Sequence, residues 1–172
     1  SGMGQAQAEV MAKRGATIVA NDINEKGIEE TVRRVQANGG KILASIGDIT
    51  DPKFVDRMVT STIEHYGQVD VLVNNAGIGF SAGLLDTSDE EFDINTSVNA
   101  RAPMQCAKMV VPSMREQGFG RIVNIVSRTH LGKTLRTAYA ASKGALVSMT
   151  KVWALELADM GITCNAIAPG PI

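Results

Sequence analysis

The sequence has 172 residues, of which 44% are hydrophobic and 20% are charged, a composition that supports a sizeable core and excludes a mainly disordered chain. Its 17 Lys and Arg residues against 18 Asp and Glu residues give a formal charge of -1, so no broad positive field exists for nucleic acid or an anionic membrane. No apolar run approaches the roughly 18 residues of a membrane span, and the first residues lack the pattern of a secretory signal. We therefore expect a cytoplasmic protein that binds neither nucleic acid nor membrane.

Short runs rich in Val and Ile alternate along the chain with longer segments of helical period, which is the pattern of stacked βαβ units. The runs are almost continuously apolar, as parallel strands covered on both faces are. The predicted strands are residues 16–21, 41–46, 69–74, 121–126 and 163–168. The sequence therefore predicts a single α/β domain with a doubly wound, mainly parallel sheet and helices on both faces.

Helical patterns fill the segments between these strands. Asp51 and Pro52 predict an N-cap followed by proline at the first helical position, and Gly67 predicts the end of that helix. Two longer helices are predicted over residues 96–117 and 138–160. Each has a mainly apolar face that core packing would largely explain, formed by Met104, Ala107, Lys108 and Val111 and by Ala145, Met149, Val152 and Leu155.

Both ends of the sequence interrupt the βαβ pattern. Residues 2–4 look like a glycine turn that opens a helix, but the strand that should precede this turn is absent. Residues 169–172 stop just after a predicted strand, where an α/β fold would continue. We therefore expect that the first strand and a C-terminal segment are missing from this sequence.

Cysteine and histidine do not form a ligand cluster. Cys106 and Cys164 each lie in an apolar periodic segment, which is typical of buried free thiols. His65 and His130 have no second His or Cys at a metal-ligand spacing. The sequence therefore predicts neither a metal centre nor a disulfide framework.

The turn Gly2-Met3-Gly4 and the acid Asp22 together suggest a dinucleotide site. Backbone NH groups of the turn can approach a phosphate at the positive end of a helix dipole. Asp22 ends the next strand, close to the spacing of about 20 residues that a ribose-binding acid has. A carboxylate there accepts hydrogen bonds from both ribose hydroxyls and repels a 2′-phosphate, which favours NAD over NADP. A helix cap at Asp22 is a compatible alternative.

Ser127, Tyr139 and Lys143 form the candidate catalytic group. Tyr139 and Lys143 are four residues apart at the start of a helix, so their side chains share one face about 5–6 Å apart at Cβ. A neighbouring ammonium favours phenolate over phenol and suits the tyrosine to proton exchange. Ser127 ends a buried strand at the sheet edge where ligands of α/β folds bind. By itself, the Tyr139–Lys143 pair would more simply be a surface contact.

Taken in this order, the motifs resemble those of the short-chain dehydrogenase/reductase family over nearly the whole sequence. Gly2-Met3-Gly4 resembles the end of its glycine-rich loop, Asn74-Asn75-Ala76-Gly77 its NNAG segment and Pro169-Gly170 its PG turn. The residues that match its catalytic tetrad are Asn99, Ser127, Tyr139 and Lys143. The resemblance implies a Rossmann-type NAD(P)-binding domain and reversible hydride transfer between NAD(H) and a secondary alcohol or ketone, with the tyrosine as general acid or base.

The resemblance also implies a role for each matching position. Asp22 would bind the adenosine ribose, and Asn99 would anchor a water that links Lys143 to solvent. Ser1 and Ile23 stand where NADP-preferring relatives usually have a basic residue, which again favours NAD. Cofactor contacts would come from Gly2, Met3, Gly4, Asp22, Asp48, Ile49, Asn74, Ala76, Gly77, Tyr139, Lys143, Pro169, Gly170 and Ile172.

Three other functions stay open. One is an NADPH-dependent 3-oxoacyl-[acyl-carrier-protein] reductase of the same family. Another is a non-catalytic redox sensor that binds dinucleotide, although a sensor has no need of the tetrad. The third is an assembly role in which the two long helices mainly build an oligomer. Relatives commonly bury the two long helices in a four-helix subunit contact, so the resemblance implies a homotetramer. Their substrate lid follows the PG turn, beyond the end of this sequence.

The loop between Ser127 and Tyr139 is basic. It contains Arg128, His130, Lys133 and Arg136, close to the predicted pocket. These groups would attract an anionic substrate, or they are solvated loop residues or partners at a subunit contact. The sequence favours the last two interpretations.

Overall fold

The computed structural model describes residues 2–170, in which helices and strands alternate. The strands are β1 (Thr17–Asp22), β2 (Lys41–Ile46), β3 (Val71–Asn74), β4 (Gly120–Ile125) and β5 (Ile162–Ile167). The α-helices are α1 (Gly2–Lys13), α2 (Glu25–Ala37), α3 (Pro52–Tyr66), α4 (Asp89–Thr96), α5 (Ala102–Gln117) and α6 (Thr137–Glu156). A π-helical segment (Ser97–Arg101) joins α4 to α5, and short 3₁₀ helices (Arg128–Leu131 and Ala158–Met160) follow β4 and α6.

The chain forms two compact units that divide between Phe54 and Val55, near the start of α3. In the N-terminal unit β1 pairs with β2, and in the C-terminal unit the strand order is β3-β4-β5. Every one of these pairs is parallel. The α/β prediction with parallel strands is therefore confirmed, but the described strands form two sheets where the sequence predicted one.

Small apolar side chains form the core of the N-terminal unit. Ala8 and Ala12 of α1 pack with Val35 of α2, and Ile18 and Ile42 of the two strands pack against them. The turn into β2 needs a glycine at this core, because a Cβ on Gly40 would lie 2.7 Å from Cγ1 of Val35 and 2.8 Å from Cβ of Ala12.

The core of the C-terminal unit combines large apolar side chains with paired amides. Met114, Ile122, Leu146 and Ile162 are almost completely buried. Among them, Nδ2 of Asn74 donates to Oδ1 of Asn124 (2.8 Å), and Nδ2 of Asn124 donates to Oγ1 of Thr150 (2.9 Å). Buried polar groups must be paired in this way to offset the loss of water. The amide chain thus joins β3, β4 and α6 across the interior.

The predicted ends of α3 are confirmed. Oδ1 of Asp51 accepts a hydrogen bond from the backbone NH of Lys53 (2.9 Å), Pro52 is the first helical residue, and Gly67 follows the helix with a φ of 84°. A left-handed residue at this position is least costly as glycine.

Residues 89–95 were not predicted as helix. α4 begins at Asp89 after the N-cap Ser88, whose Oγ accepts a hydrogen bond from the NH of Glu91 (3.1 Å). The sequence Ser88-Asp89-Glu90-Glu91 has the Ser-x-x-Glu spacing of a capping box, so a local signal for this helix was present. The predicted start at residue 96 was therefore wrong by seven residues.

Core packing explains only part of the apolar faces of the two long helices. Ala107 is buried, but Met104 and Lys108 on the same face of α5 are exposed. On α6, the side chains of Val152 and Leu155 are also exposed. Two of the four residues on the α5 face and three of the four on the α6 face are therefore exposed on the described chain. Within residues 2–170, no helix has the length and apolar character needed to cross a bilayer.

Candidate active site

Asn99 lies in the π-helical segment between α4 and α5 and is fully buried. A π-helical segment accommodates an extra residue within a helix and is frequent at functional sites. The residue pattern predicted a helix that includes position 99, but side-chain periodicity does not distinguish π from α geometry. The local widening of the helix is therefore a feature that sequence reasoning missed.

The side chain of Asn99 binds the backbone that follows the NNAG motif. Its Oδ1 accepts a hydrogen bond from the NH of Ile78 (2.9 Å), and its Nδ2 donates to the carbonyl oxygen of Ile78 (2.7 Å). Gly77 allows this close approach, since a Cβ there would lie 3.2 Å from Oδ1 of Asn99 and 3.1 Å from Nζ of Lys143. The structure thus brings Gly77, Asn99 and Lys143 together.

Lys143 is an almost completely buried cation on α6. Its Nζ donates a 2.8 Å hydrogen bond to the carbonyl oxygen of Ile125, the last residue of β4. Burial disfavours the charged form and lowers the pKa of Lys143 from 10.5 to about 8. At pH 7 the side chain is still mostly an ammonium ion, held at the carboxyl end of a parallel strand.

Tyr139 lies in the first turn of α6, with its ring centroid 6.0 Å from Nζ of Lys143. The ring packs on the backbone of Gly79, where a Cβ would lie only 2.8 Å from its Cδ2 atom. Because no side chain projects from Gly79, the ring lies directly on the segment after the NNAG motif. The pair predicted from its four-residue spacing is therefore in one site rather than on an exposed helix surface.

Ser127 follows β4 and is the N-cap of the 3₁₀ helix Arg128–Leu131. Its Oγ donates to Oγ1 of Thr129 (2.9 Å) and accepts a hydrogen bond from the NH of Thr129 (3.2 Å). Nδ1 of His130 lies 2.5 Å from the carbonyl oxygen of Ser127. Sequence reasoning placed His130 close to the predicted pocket but did not assign Thr129 to this site, although a serine hydroxyl commonly binds the backbone two residues further along the chain.

The basic loop contacts the PG turn and the segment after the NNAG motif. The backbone NH of Arg128 donates to the carbonyl oxygen of Pro169 (3.4 Å), and its side chain comes within 4.0 Å of the Cβ position of Gly170. Nη1 of Arg136 donates to the carbonyl oxygen of Phe80 (3.0 Å). Arg136 therefore supports a neighbouring loop, while Arg128 and Lys133 are exposed.

The remaining candidates of the C-terminal unit follow β3. Asn74 is its last residue and is buried, whereas Ala76 and Gly77 in the turn after it are exposed. Between them, Oδ1 of Asn75 is buried and has no hydrogen-bond partner among residues 2–170. Ile172, another predicted cofactor contact, lies outside the described residues.

In the N-terminal unit, Gly2, Met3 and Gly4 form the first turn of α1 instead of a loop before it. Asp22 is the last residue of β1, and its Oδ1 accepts a hydrogen bond from the NH of Asn24 (2.9 Å). Asn24 is itself the N-cap of α2, through a 2.9 Å hydrogen bond from the NH of Gly27. The helix cap near Asp22 is therefore Asn24, and Asp22 is not the cap.

Asp48 and Ile49 lie between β2 and α3. Oδ1 of Asp48 accepts hydrogen bonds from the NH and from Oγ1 of Thr50, both at 2.8 Å. This local turn leaves Asp48 exposed and Ile49 half-buried. Both candidates are thus held next to the carboxyl end of a strand of the N-terminal unit.

The family model described as short chain dehydrogenase matches residues 1–172. The chain belongs to the short chain dehydrogenase family. Two relatives illustrate its range. It is 40% identical to the (2S)-[(R)-hydroxy(phenyl)methyl]succinyl-CoA dehydrogenase subunit BbsD of Thauera aromatica, covering 100% of this chain and 69% of that protein. It is 39% identical to the 3-oxoacyl-[acyl-carrier-protein] reductase FabG of Thermotoga maritima, covering 99% of this chain and 70% of that protein.

Solved structures of short chain dehydrogenases have the same fold. The structure titled NAD+-bound xylitol dehydrogenase superposes with a TM-score of 0.94 at 33% identity, covering 97% of this chain and 65% of that one. The structure of a metagenomic short-chain oxidoreductase in complex with NADP superposes with a TM-score of 0.94 at 28% identity, covering 99% of this chain and 78% of that one. The chain thus spans between about two thirds and four fifths of these proteins. The Rossmann-type prediction is confirmed, and the protein is an oxidoreductase of this family.

Burial of Lys143 predicts how stability depends on pH. The pKa of Lys143 is about 8 in the folded state and 10.5 in its ordinary, unfolded environment. As the pH is lowered, the unfolded state therefore binds the proton before the folded state does. The free energy of unfolding of the wild type consequently falls as the pH decreases from about 10.5 to about 8. Lys143→Met removes this titration. We expect the difference in unfolding free energy, variant minus wild type, to be roughly 2–3 kcal/mol more positive at pH 7 than at pH 10.

Urea denaturation at pH 7, 8, 9 and 10 measures this difference. Lys151→Met is the matched control, because Lys151 is exposed on the same helix. We expect the control difference to stay constant over this range. If the difference in unfolding free energy from wild type had the same pH dependence in Lys143→Met and Lys151→Met, the burial of the Lys143 ammonium would be contradicted.

Proposed function

We propose that the protein catalyses reversible hydride transfer between NAD(H) and a secondary alcohol or ketone, with Tyr139 as the general acid or base. The observation that carries this proposal is the buried Lys143 ammonium, fixed on the Ile125 carbonyl 6.0 Å from the Tyr139 ring. A cation in a site of low dielectric interacts strongly with a neighbouring phenolate. A structural role would not require a buried charge beside a tyrosine, because burial of that charge is costly.

The proton moves through side chains of the C-terminal unit. In oxidation, the phenolate oxygen of Tyr139 takes the hydroxyl proton of the substrate, and in reduction the phenol returns it to the substrate oxygen. Lys143 stabilises the phenolate because it is mostly charged at pH 7. Ser127 orients the substrate oxygen with its hydroxyl, which Thr129 in turn holds in place.

Asn99 has a more specific place in this proposal. Its side-chain amide is already bound to the backbone of Ile78 and to Oγ of Ser142. A water that links Lys143 to solvent would therefore contact the backbone of the π-helical segment rather than the amide. The side chain of Asn99 then serves to hold the segment and Ile78 together.

Residues of each unit fit a nicotinamide dinucleotide, which when bound would accept or supply the hydride. The first turn of α1 offers backbone NH groups suited to phosphate, and Asp22 offers a carboxylate at a strand end. In the C-terminal unit, the buried Oδ1 of Asn75 has no partner among the described residues, and Gly77 and Gly79 keep the backbone open to close approach. Met3, Gly4, Asp48, Ile49, Asn74, Ala76, Pro169, Gly170 and Ile172 are proposed as further contacts.

We propose NAD as the preferred cofactor. Asp22 at the end of β1 supports this choice, because a carboxylate accepts hydrogen bonds from ribose hydroxyls and repels a 2′-phosphate. A solved relative with NADP and a relative named as a 3-oxoacyl reductase keep the NADPH-dependent reductase as the second candidate. The buried Lys143 next to Tyr139 argues against a non-catalytic sensor, which would gain nothing from the cost of that burial.

Replacing Asp22 tests the cofactor preference. We expect Asp22→Ser to lower the ratio of kcat/KM for NADH to that for NADPH by roughly 10-fold or more, since hydrogen bonds to a charged group are lost and repulsion is removed. Glu25→Ser is the control, because it removes a negative charge three residues away at the start of α2. Wild-type kcat/KM values that favour NADPH would contradict the NAD assignment and support the reductase.

Removal of one hydroxyl tests the mechanism. We expect Tyr139→Phe to lower kcat by about 10²–10⁴-fold, the usual contribution of a general acid or base, with little change in the Kd for NADH. Tyr66→Phe, at the exposed end of α3, should leave both unchanged. NADH consumption with a panel of ketones and NADH fluorescence titration measure the two quantities.

Retention of most activity by Tyr139→Phe would contradict the proposed mechanism. Wild-type protein that binds NADH but consumes it with no ketone of the panel would instead favour the redox sensor.

We also propose a homotetramer that forms through the two long helices. The exposed apolar side chains on α5 and α6, including Met104, Val152 and Leu155, support this arrangement. Contiguous exposed apolar surface is typical of subunit contacts. We further propose that both units belong to one NAD(P)-binding domain and that the protein is cytoplasmic; the free thiols of Cys106 and Cys164 are compatible with a reducing compartment.

A charge on the α6 surface should disrupt the tetramer. Leu155 is 83% exposed on the described chain, so we expect Leu155→Lys to fold but to lower the molar mass measured by light scattering. Leu85→Lys is the control, because Leu85 is 96% exposed and lies outside the two helices. An unchanged tetramer in both variants would exclude α6 as the contact.

A further inference from the structure

Ser142 lies next to Lys143 and is 1% exposed. Its Oγ accepts a hydrogen bond from Nδ2 of Asn99 (3.0 Å) and donates one to the carbonyl oxygen of Tyr139 (2.9 Å). A hydroxyl has one proton to donate and lone pairs to accept, so both capacities are used. Ser142 therefore connects the π-helical segment to the first turn of α6.

The amide of Asn99 has more acceptors nearby than protons to give. Nδ2 has two protons, and its acceptors are the Ile78 carbonyl at 2.7 Å, Oγ of Ser142 at 3.0 Å and Oδ1 of Asn95 at 3.4 Å. The two shorter hydrogen bonds account for both protons. Without the Ser142 hydroxyl, the second proton would turn to Oδ1 of Asn95 on α4.

Three segments of the C-terminal unit are thus joined in series. The backbone of Ile78 binds Asn99, Asn99 binds Ser142, and Ser142 binds the Tyr139 carbonyl. We infer that Ser142 is a positioning residue, which fixes the start of α6 so that Tyr139 lies against Gly79 and Lys143 lies next to Gly77. This inference rests on the proposed function, because the joint role of Tyr139 and Lys143 in catalysis is part of that proposal.

A serine hydroxyl bound to a carbonyl of the preceding helical turn is common and by itself bends or slightly destabilises a helix. Burial and the second hydrogen bond, to Asn99, distinguish Ser142. Thr31 on α2 offers a matched comparison: it is buried, its Oγ1 donates to the Gly27 carbonyl (3.0 Å), and it accepts from Nε2 of Gln5 (3.3 Å). The two hydroxyls have the same type of bonding, but only that of Ser142 contacts the candidate tetrad.

Ser142→Ala and Thr31→Val therefore form the test pair. We expect Ser142→Ala to lower kcat by about 10- to 100-fold, as small misplacement of catalytic groups does, while the Kd for NADH stays close to that of wild type. Thr31→Val should lower the Tm to a similar extent but leave kcat unchanged. Equal kcat for wild type and Ser142→Ala would overturn the inference.

A double-mutant cycle with Asn99→Ala tests whether the two residues act through one hydrogen bond. If they do, the double variant loses no more kcat than the more damaged single variant. If the two effects multiply, Ser142 acts independently of Asn99 and the inference is overturned.

The titration of Lys143 supplies a readout that needs no turnover. The ammonium can be followed by NMR of ¹³C-lysine, assigned by the signal lost in Lys143→Met. We expect the midpoint, about 8 in wild type, to move towards 10.5 in Ser142→Ala as the helix start loosens and admits water, and to stay in place in Thr31→Val. An unmoved midpoint in Ser142→Ala overturns the inference whatever its kcat. A shifted midpoint in a protein that turns over no alcohol or ketone would refute the proposed function alone.

Discussion

The hydrogen bond from the Lys143 ammonium to the Ile125 carbonyl is the interaction on which the C-terminal unit depends. A buried cation is costly, and burial accordingly lowers its pKa to about 8. The cost is tolerable only where backbone oxygen is presented to the charge, and the end of a parallel strand does this. The ammonium also requires backbone without side chains nearby, which Gly77 provides. The Lys143 charge therefore constrains the end of β4, the start of α6 and the turn at Gly77.

Two series of buried amides keep these parts in register. One runs from Asn74 through Asn124 to α6. The other runs from Ile78 through Asn99 and Ser142 to the first turn of the same helix. An unpaired amide in a dry core costs more than a paired one contributes, so a slip of either strand or helix would be penalised. Apolar packing alone would not fix these positions so narrowly. The amides thus give the site its defined geometry, and the apolar core supplies most of the stability.

Much of the fold could be predicted from the local pattern of apolar residues. β2 has the predicted bounds, and each of the other strands differs by one or two residues. Strand prediction succeeded because doubly buried strands are apolar along their whole length. Prediction failed at α4, whose start depends on the cap Ser88 and not on apolar period, and at the π-helical segment, which side-chain pattern does not reveal. The sequence analysis also attributed most of the apolar face of α6 to core packing, whereas Leu155 on that face is exposed.

The sequence by itself determined the order of strands and helices, the family resemblance, and the placement of Tyr139 and Lys143 on one helical face, because these depend on neighbours within a few residues. Only the tertiary structure decided which partners the buried polar side chains of the site take. Lys143 binds a carbonyl 18 residues away, and Asn99 binds groups that are 21 and 43 residues distant. Hydrogen bonds need atoms within about 3 Å at favourable angles, and such proximity arises only when distant segments pack together.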